Sequence, residues 1–125
     1  MAKDWMNTKE FFITYSILIN AARHHGFATY QELAQATGYP TAGSYISGVF
    51  GRILGLISRN EFEHSRPMLS AIAVSIRGVP SEGFFNLARE LNAQKEDESD
   101  EAFWNKECKR IYEEWKIPYR VSKGK

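Results

Sequence analysis

The chain has a single cysteine, four prolines and almost no excess of either charge. Each shortage narrows what it can be. Cys108 cannot form an internal disulfide, and with no second cysteine there is no thiolate cluster for structural zinc, so a reducing, cytoplasmic setting is expected. Sixteen Lys and Arg against fifteen Asp and Glu leave a formal charge of +1. The molecule as a whole therefore lacks the strong positive field of many nucleic-acid binders, and any such binding must come from local patches. The longest apolar stretch, Phe11 to Ile19, is interrupted by Thr14, Tyr15 and Ser16 and falls short of the roughly 20 residues a membrane span needs. The opening Met1-Ala2-Lys3-Asp4-Trp5 does not read as a signal peptide, so neither membrane insertion nor secretion is expected.

Chemistry-bearing patterns are also scarce. His24 and His25 are neighbours that point in different directions on a helix, and His64 is remote, so no metal-ligand spacing appears. Cys108 shares a face with Trp104 and Ile111, the setting of a buried free thiol, and no partner base is evident. Glu113 and Glu114 sit among lysines on a solvated face. The glycines follow neither a phosphate loop nor a dinucleotide pattern. The expectation is a protein with no cofactor, no metal and no catalytic site, hence not an enzyme.

What is present is 43% hydrophobic and 14% aromatic residues, enough for a single folded unit. Thr8 caps a predicted helix to about His25, with Phe11, Phe12, Tyr15, Leu18, Ile19 and Ala22 on one side and Gly26 at its end. Thr29-Tyr30-Gln31-Glu32 is a capping box opening a short helix that stops at Gly38. Tyr39-Pro40-Thr41 turns the chain into a longer helix over 42–58. Two helices across a tight Gly-containing turn have the form of a helix-turn-helix. Residues 68–76 read as a strand, Arg77-Gly78-Val79-Pro80 as a turn, and Ser81 to Leu91 as a capped helix. The strand and turn are where a wing would sit. The polar, acidic stretch 94–100 reads as a solvated linker, and a last amphipathic helix over 100–116 carries Phe103, Trp104, Cys108, Ile111, Tyr112 and Trp115. The fold class is thus mainly α (α+β): a winged-helix-like three-helix core with a short strand and two further helices. Residues 1–92 form the core, 93–100 the acidic linker, and 101–125 the C-terminal helix and basic tail packed on the same domain.

At 100° per residue the 42–58 helix divides in two. Ile46, Val49, Phe50, Ile53 and Ile57 form an apolar core sector, while Ser44, Ser47, Gly48, Gly51, Gly55 and Ser58 lie opposite, with Arg52 and Arg59 at the margin. Interior helical glycines cost about 0.5 to 1 kcal/mol each, so some compensation is expected. Two arrangements supply it: close approach of a ligand such as a DNA groove, with the arginines meeting phosphates or base edges, or close packing against another helix.

The segment Thr29-Tyr30-Gln31-Glu32-Leu33-Ala34, followed by Gly38-Tyr39-Pro40, a small-residue helix and Pro67-Met68-Leu69 with a strand, resembles the DNA-binding domain of alkylguanine-DNA alkyltransferases and alkyltransferase-like proteins. The resemblance spans about residues 28 to 91. In that family a winged helix-turn-helix places its second helix in the minor groove, an arginine on it helps flip a base, and a Pro-Cys-His-Arg strand carries the acceptor thiol. Here Ser70-Ala71-Ile72-Ala73-Val74 stands where that strand would be, with neither Cys nor His, and Ser44 stands where the arginine would be. The resemblance therefore implies DNA binding without alkyl transfer.

Two functions from different classes follow. The first is a non-catalytic DNA-binding module or accessory regulator, reading duplex DNA through Ser44, Ser47, Gly48, Gly51, Arg52, Gly55 and Arg59, with a wing at Arg77. The second is a protein-binding inhibitor or adaptor, such as a phage-encoded antagonist of a host defence system. The near-neutral charge and aromatic last helix suit that one, with Trp104 and Trp115 meeting a partner or a second copy in a homodimer.

Overall fold

A computed structural model describes residues 4–40 and 46–117; for Ile46 and Ser47 it describes the backbone only. Ser44, one of the expected contact residues, and the basic tail lie outside the described residues. The architecture is mainly helical with one small sheet. In order, a 3-10 turn (Trp5–Asn7) leads to α1 (Lys9–Arg23), β1 (Ala28–Thr29) and α2 (Tyr30–Thr37). A π-helical turn (Ile46–Phe50) runs into α3 (Gly51–Glu63), then a 3-10 helix (Leu69–Ile72), β2 (Ala73–Val74), α4 (Glu82–Glu90) and α5 (Asp100–Trp115).

Capping chemistry sets the helix boundaries. The Thr8 hydroxyl accepts from Phe11 N at 3.2 Å, and the Ser99 hydroxyl from Ala102 N at 3.1 Å. At Thr29 both bonds of the capping box form, at 3.1 and 2.8 Å. The far ends share one device: a residue with positive φ lets the next N–H reach back over the last turn. It is Gly38 after α2, His25 after α1, Ser65 after α3 and Asn92 after α4. Gly26 N reaches Ala21 O at 2.8 Å, Arg66 N reaches Glu61 O at 2.9 Å and Ala93 N reaches Ala88 O at 2.8 Å, the backbone pattern of a Schellman cap. So α1 ends on His25 in the left-handed conformation, one residue before the glycine expected to stop it.

α1 packs against α2, α3 and α5, and α5 also covers the Leu69–Ile72 turn. Leu18, Leu33, Ile53, Ile57, Phe103 and Ile111 are fully buried at this junction. The α5 contacts make the C-terminal helix part of the same core. The strand expected over 68–76 is only two residues long and pairs in parallel with β1, Ala28 to Ala73 and Thr29 to Val74. Residues 67–74 are all buried, so the apparent alternation had no solvent side, and a short apolar run covered all round is as well served by a 3-10 turn. Phe12, expected on the core side of α1, is 60% exposed. The acidic stretch is folded back onto its neighbours: Gln94 is buried, its amide donating to Glu98 O at 3.0 Å and to Asp100 at 2.8 Å, and Lys106 pairs with Glu98 at 2.7 Å.

Buried polar groups link the elements. Glu61 on α3 is wholly buried; it accepts from Arg66 at 2.9 Å on each oxygen and from the Tyr15 hydroxyl, to which Asn60 also donates. Burial, with the Glu61 carboxylate beside it, raises the Tyr15 pKa. Glu107 on α5 accepts from Met68 N at 2.8 Å, tying α5 to the start of the buried segment.

Candidate nucleic-acid interface

Part of the face expected from helix periodicity is open among the described residues. Gly51 and Gly55 lie one turn apart on α3, and a Cβ built on either, or on Gly48 in the preceding turn, meets nothing within 4 Å. Among the described residues no helix is seated on them, so packing within that part of the chain does not account for these glycines. In front of Gly51 and Gly55 lies a groove of about 490 Å3 between α3 and α4. Its α3 wall holds Gly51, Arg52, Gly55, Leu56 and Arg59, and its α4 wall holds Gly83, Asn86, Leu87 and Glu90. Trp5 and Tyr30 close one part of it, and Gly48 lies outside the lining.

The turn after β2 joins this groove. Ser81, directly after the turn, lines it, and Ser81 N donates to the Tyr30 hydroxyl at 2.9 Å, which fixes the start of α4 against α2. Ser81 precedes α4 as expected, yet its hydroxyl makes no capping bond. Of the expected contact residues, the structure brings Gly51, Arg52, Gly55 and Arg59 to one groove. Ser47 belongs to the π-helical turn, and Arg77 stands on the turn leading to Ser81.

The two arginines differ in electrostatic state. Arg52 is exposed, and among the described residues no carboxylate pairs with it. Arg59 is held by Glu90 across the groove, with both side chains substantially exposed at 41% and 60%. An exposed pair of this kind contributes at most about 1 kcal/mol and exchanges readily with another anion.

One expectation changes. Ser58, assigned to the open sector, is fully buried, accepting from Ser70 N at 2.9 Å with its hydroxyl 2.6 Å from that of Ser70. The reason is that 3-10 residues Leu69–Ile72 pack over the far half of α3, so the open sector ends near Gly55. Trp104 and Trp115, assigned to a partner surface, are both half-buried against the core. The Trp104 indole donates to Ala71 O at 2.8 Å, and Arg66 lies over the Trp115 ring at 5.8 Å. They pack against this chain's own core, and Trp115 also lines a surface cleft beside Phe12.

Trp5, Tyr30, Asn86 and Glu90 were not anticipated as groove residues. For the α4 wall a signal existed: Gly83, Asn86, Leu87 and Glu90 recur at three and four residues, beside the core stripe of Phe84 and Ala88. For Trp5 and Tyr30 none did, since only the folded chain brings them near α3. Among the described residues no three His, Cys, Asp or Glu side chains gather as a metal site, and no helix is long and apolar enough to cross a membrane. No protein-family model matches the chain, and neither a curated protein nor a solved structure does.

Proposed function

We propose that the protein is a non-catalytic duplex-DNA-binding module, contacting the phosphate backbone through the glycine-floored groove of α3 and the turn that follows β2. The observation that carries this is that, among the described residues, Gly51 and Gly55 face open space beside an exposed Arg52 that no carboxylate pairs. A backbone without side chains can be approached closely, and a neighbouring guanidinium supplies the charge-assisted bond a phosphate needs. Glu90 then acts as an internal competitor, occupying Arg59 until a phosphate displaces it.

Titration of the protein with random duplex DNA at two salt concentrations tests the reading. Affinity should fall steeply with salt, and R52A and R59A should each flatten the dependence by about one ion released. E90Q, which frees Arg59, should tighten binding. A wild-type affinity indifferent to salt, or a double arginine variant that binds as well as the wild type, refutes it.

A second reading, a protein-binding inhibitor or adaptor, is favoured by a separate cleft of about 400 Å3 lined by Phe12, Tyr15, Ile19 and Trp115, at which Phe12 is 60% exposed. It becomes the working reading if duplex binding is absent.

A further inference from the structure

The most exposed large apolar side chain among the described residues is Ile76, at 84%, and Val79 three residues on is 43% exposed. Both lie on the short turn between β2 and α4, and between them Arg77 is exposed with no carboxylate partner among the described residues. Such a tip on a loose loop would mean little, because an apolar side chain on mobile backbone collapses onto the nearest surface. This turn is braced. Ser75 N donates to Val79 O at 2.9 Å, Gly78 N donates to Ser75 O at 2.8 Å, and Arg77 N donates to the Ser75 hydroxyl at 3.2 Å. Gly78 sits at φ +84°, a conformation that favours glycine. Both ends are anchored: Val74 is buried in the sheet, Pro80 is buried, and Ser81 is tied to Tyr30.

Resting on the DNA reading, we propose that Ile76 is a wedge that enters between base pairs from the minor groove, while Arg77 engages the adjacent phosphate or groove edge. A rigid turn carrying an aliphatic tip next to a cation has the chemistry that unstacks a base step, since the energy of unstacking is recovered by burying the apolar side chain and drawing the bent backbone onto the protein. The turn leads directly into Ser81, which lines the groove, so the wedge and the α3 face act on one continuous length of duplex. The protein would then kink the DNA it binds, with a preference for easily unstacked pyrimidine–purine steps.

The test uses the full chain and a duplex of about 20 base pairs carrying 2-aminopurine at TA steps and a fluorophore pair at its ends. With wild-type protein, 2-aminopurine fluorescence should rise and the ends should approach. I76A, a change at an exposed site, should keep the wild-type melting temperature and salt dependence but lose both signals, with roughly three- to tenfold weaker binding. I76L should restore them. R77A should lower the salt dependence by about one ion. Wild-type binding with no fluorescence rise, or I76A retaining the rise, overturns the wedge and leaves the DNA reading standing. An absence of salt-dependent binding by the wild type overturns both.

Discussion

The double substitution of Gly51 and Gly55 by alanine separates a glycine kept for a ligand from one kept for packing. Neither position has positive φ, both lie in α3, and a Cβ at either meets no described atom outside its own stretch of helix within 4 Å. Nothing among the described residues therefore opposes the methyl group. Each alanine should recover the helix-propensity cost of glycine, about 0.5 to 1 kcal/mol, partly by restricting the unfolded chain. Together that is about 1 to 2 kcal/mol, which for a chain of this size raises the melting temperature by about 4 to 8 °C. Thermal denaturation followed by circular dichroism reads this directly. The same methyl groups project into the groove that the DNA reading fills with a phosphate backbone, so duplex affinity should fall while stability rises. Stability given up at a functional surface has this signature. A destabilised double variant would mean that the glycines serve internal packing after all. A stabilised variant that binds duplex as tightly as the wild type would mean that the groove is not the contact surface.

Two further outcomes test the interior. E61Q removes the charge that balances Arg66 and weakens the acceptor for Tyr15, so it should cost about 2 to 3 kcal/mol, less than a fully buried pair because Arg66 is 30% exposed; urea denaturation measures it, and a loss under about 1 kcal/mol would sink the assignment. The Cys108 thiol is pushed from 9.0 up to about 12 by burial, with a further contribution from Glu107. It should resist a disulfide reagent at pH 8 until the chain unfolds. Because the folded state holds that proton more tightly, the thiol's contribution to stability declines as pH rises from about 9 to about 12, a decline that C108A should remove.

The local features of the fold were legible where one residue's chemistry decides them. Thr8 and Thr29 cap by side-chain oxygen, Gly38 accepts the left-handed conformation without cost, and Phe50, Ile53 and Ile57 recur at helical spacing. His25, Ser65 and Asn92 take the same conformation as Gly38, and Ser65 is not a residue type that signals it; there the cap shows in the bond from Arg66 N back to Glu61 O. Nothing in the sequence marks Glu61 and Glu107 as buried, because their partners, Arg66 with Tyr15 and Met68 N, become neighbours only on folding.

For the candidate site, the amino-acid order alone determined that α3 carries a stripe of glycines edged by Arg52 and Arg59, because helical geometry fixes which residues share a face. Whether that stripe meets a neighbouring helix or empty space is not a property of the helix. Only the tertiary structure decided that no described residue covers Gly51 and Gly55 while Ser58, one turn further, is sealed against Ser70. It likewise set Glu90 opposite Arg59 and left Ile76 at the tip of a braced turn. Solvent exposure is a relation between elements, fixed by how α4 and the Leu69–Ile72 turn pack on α3, and the pattern of one segment does not contain it.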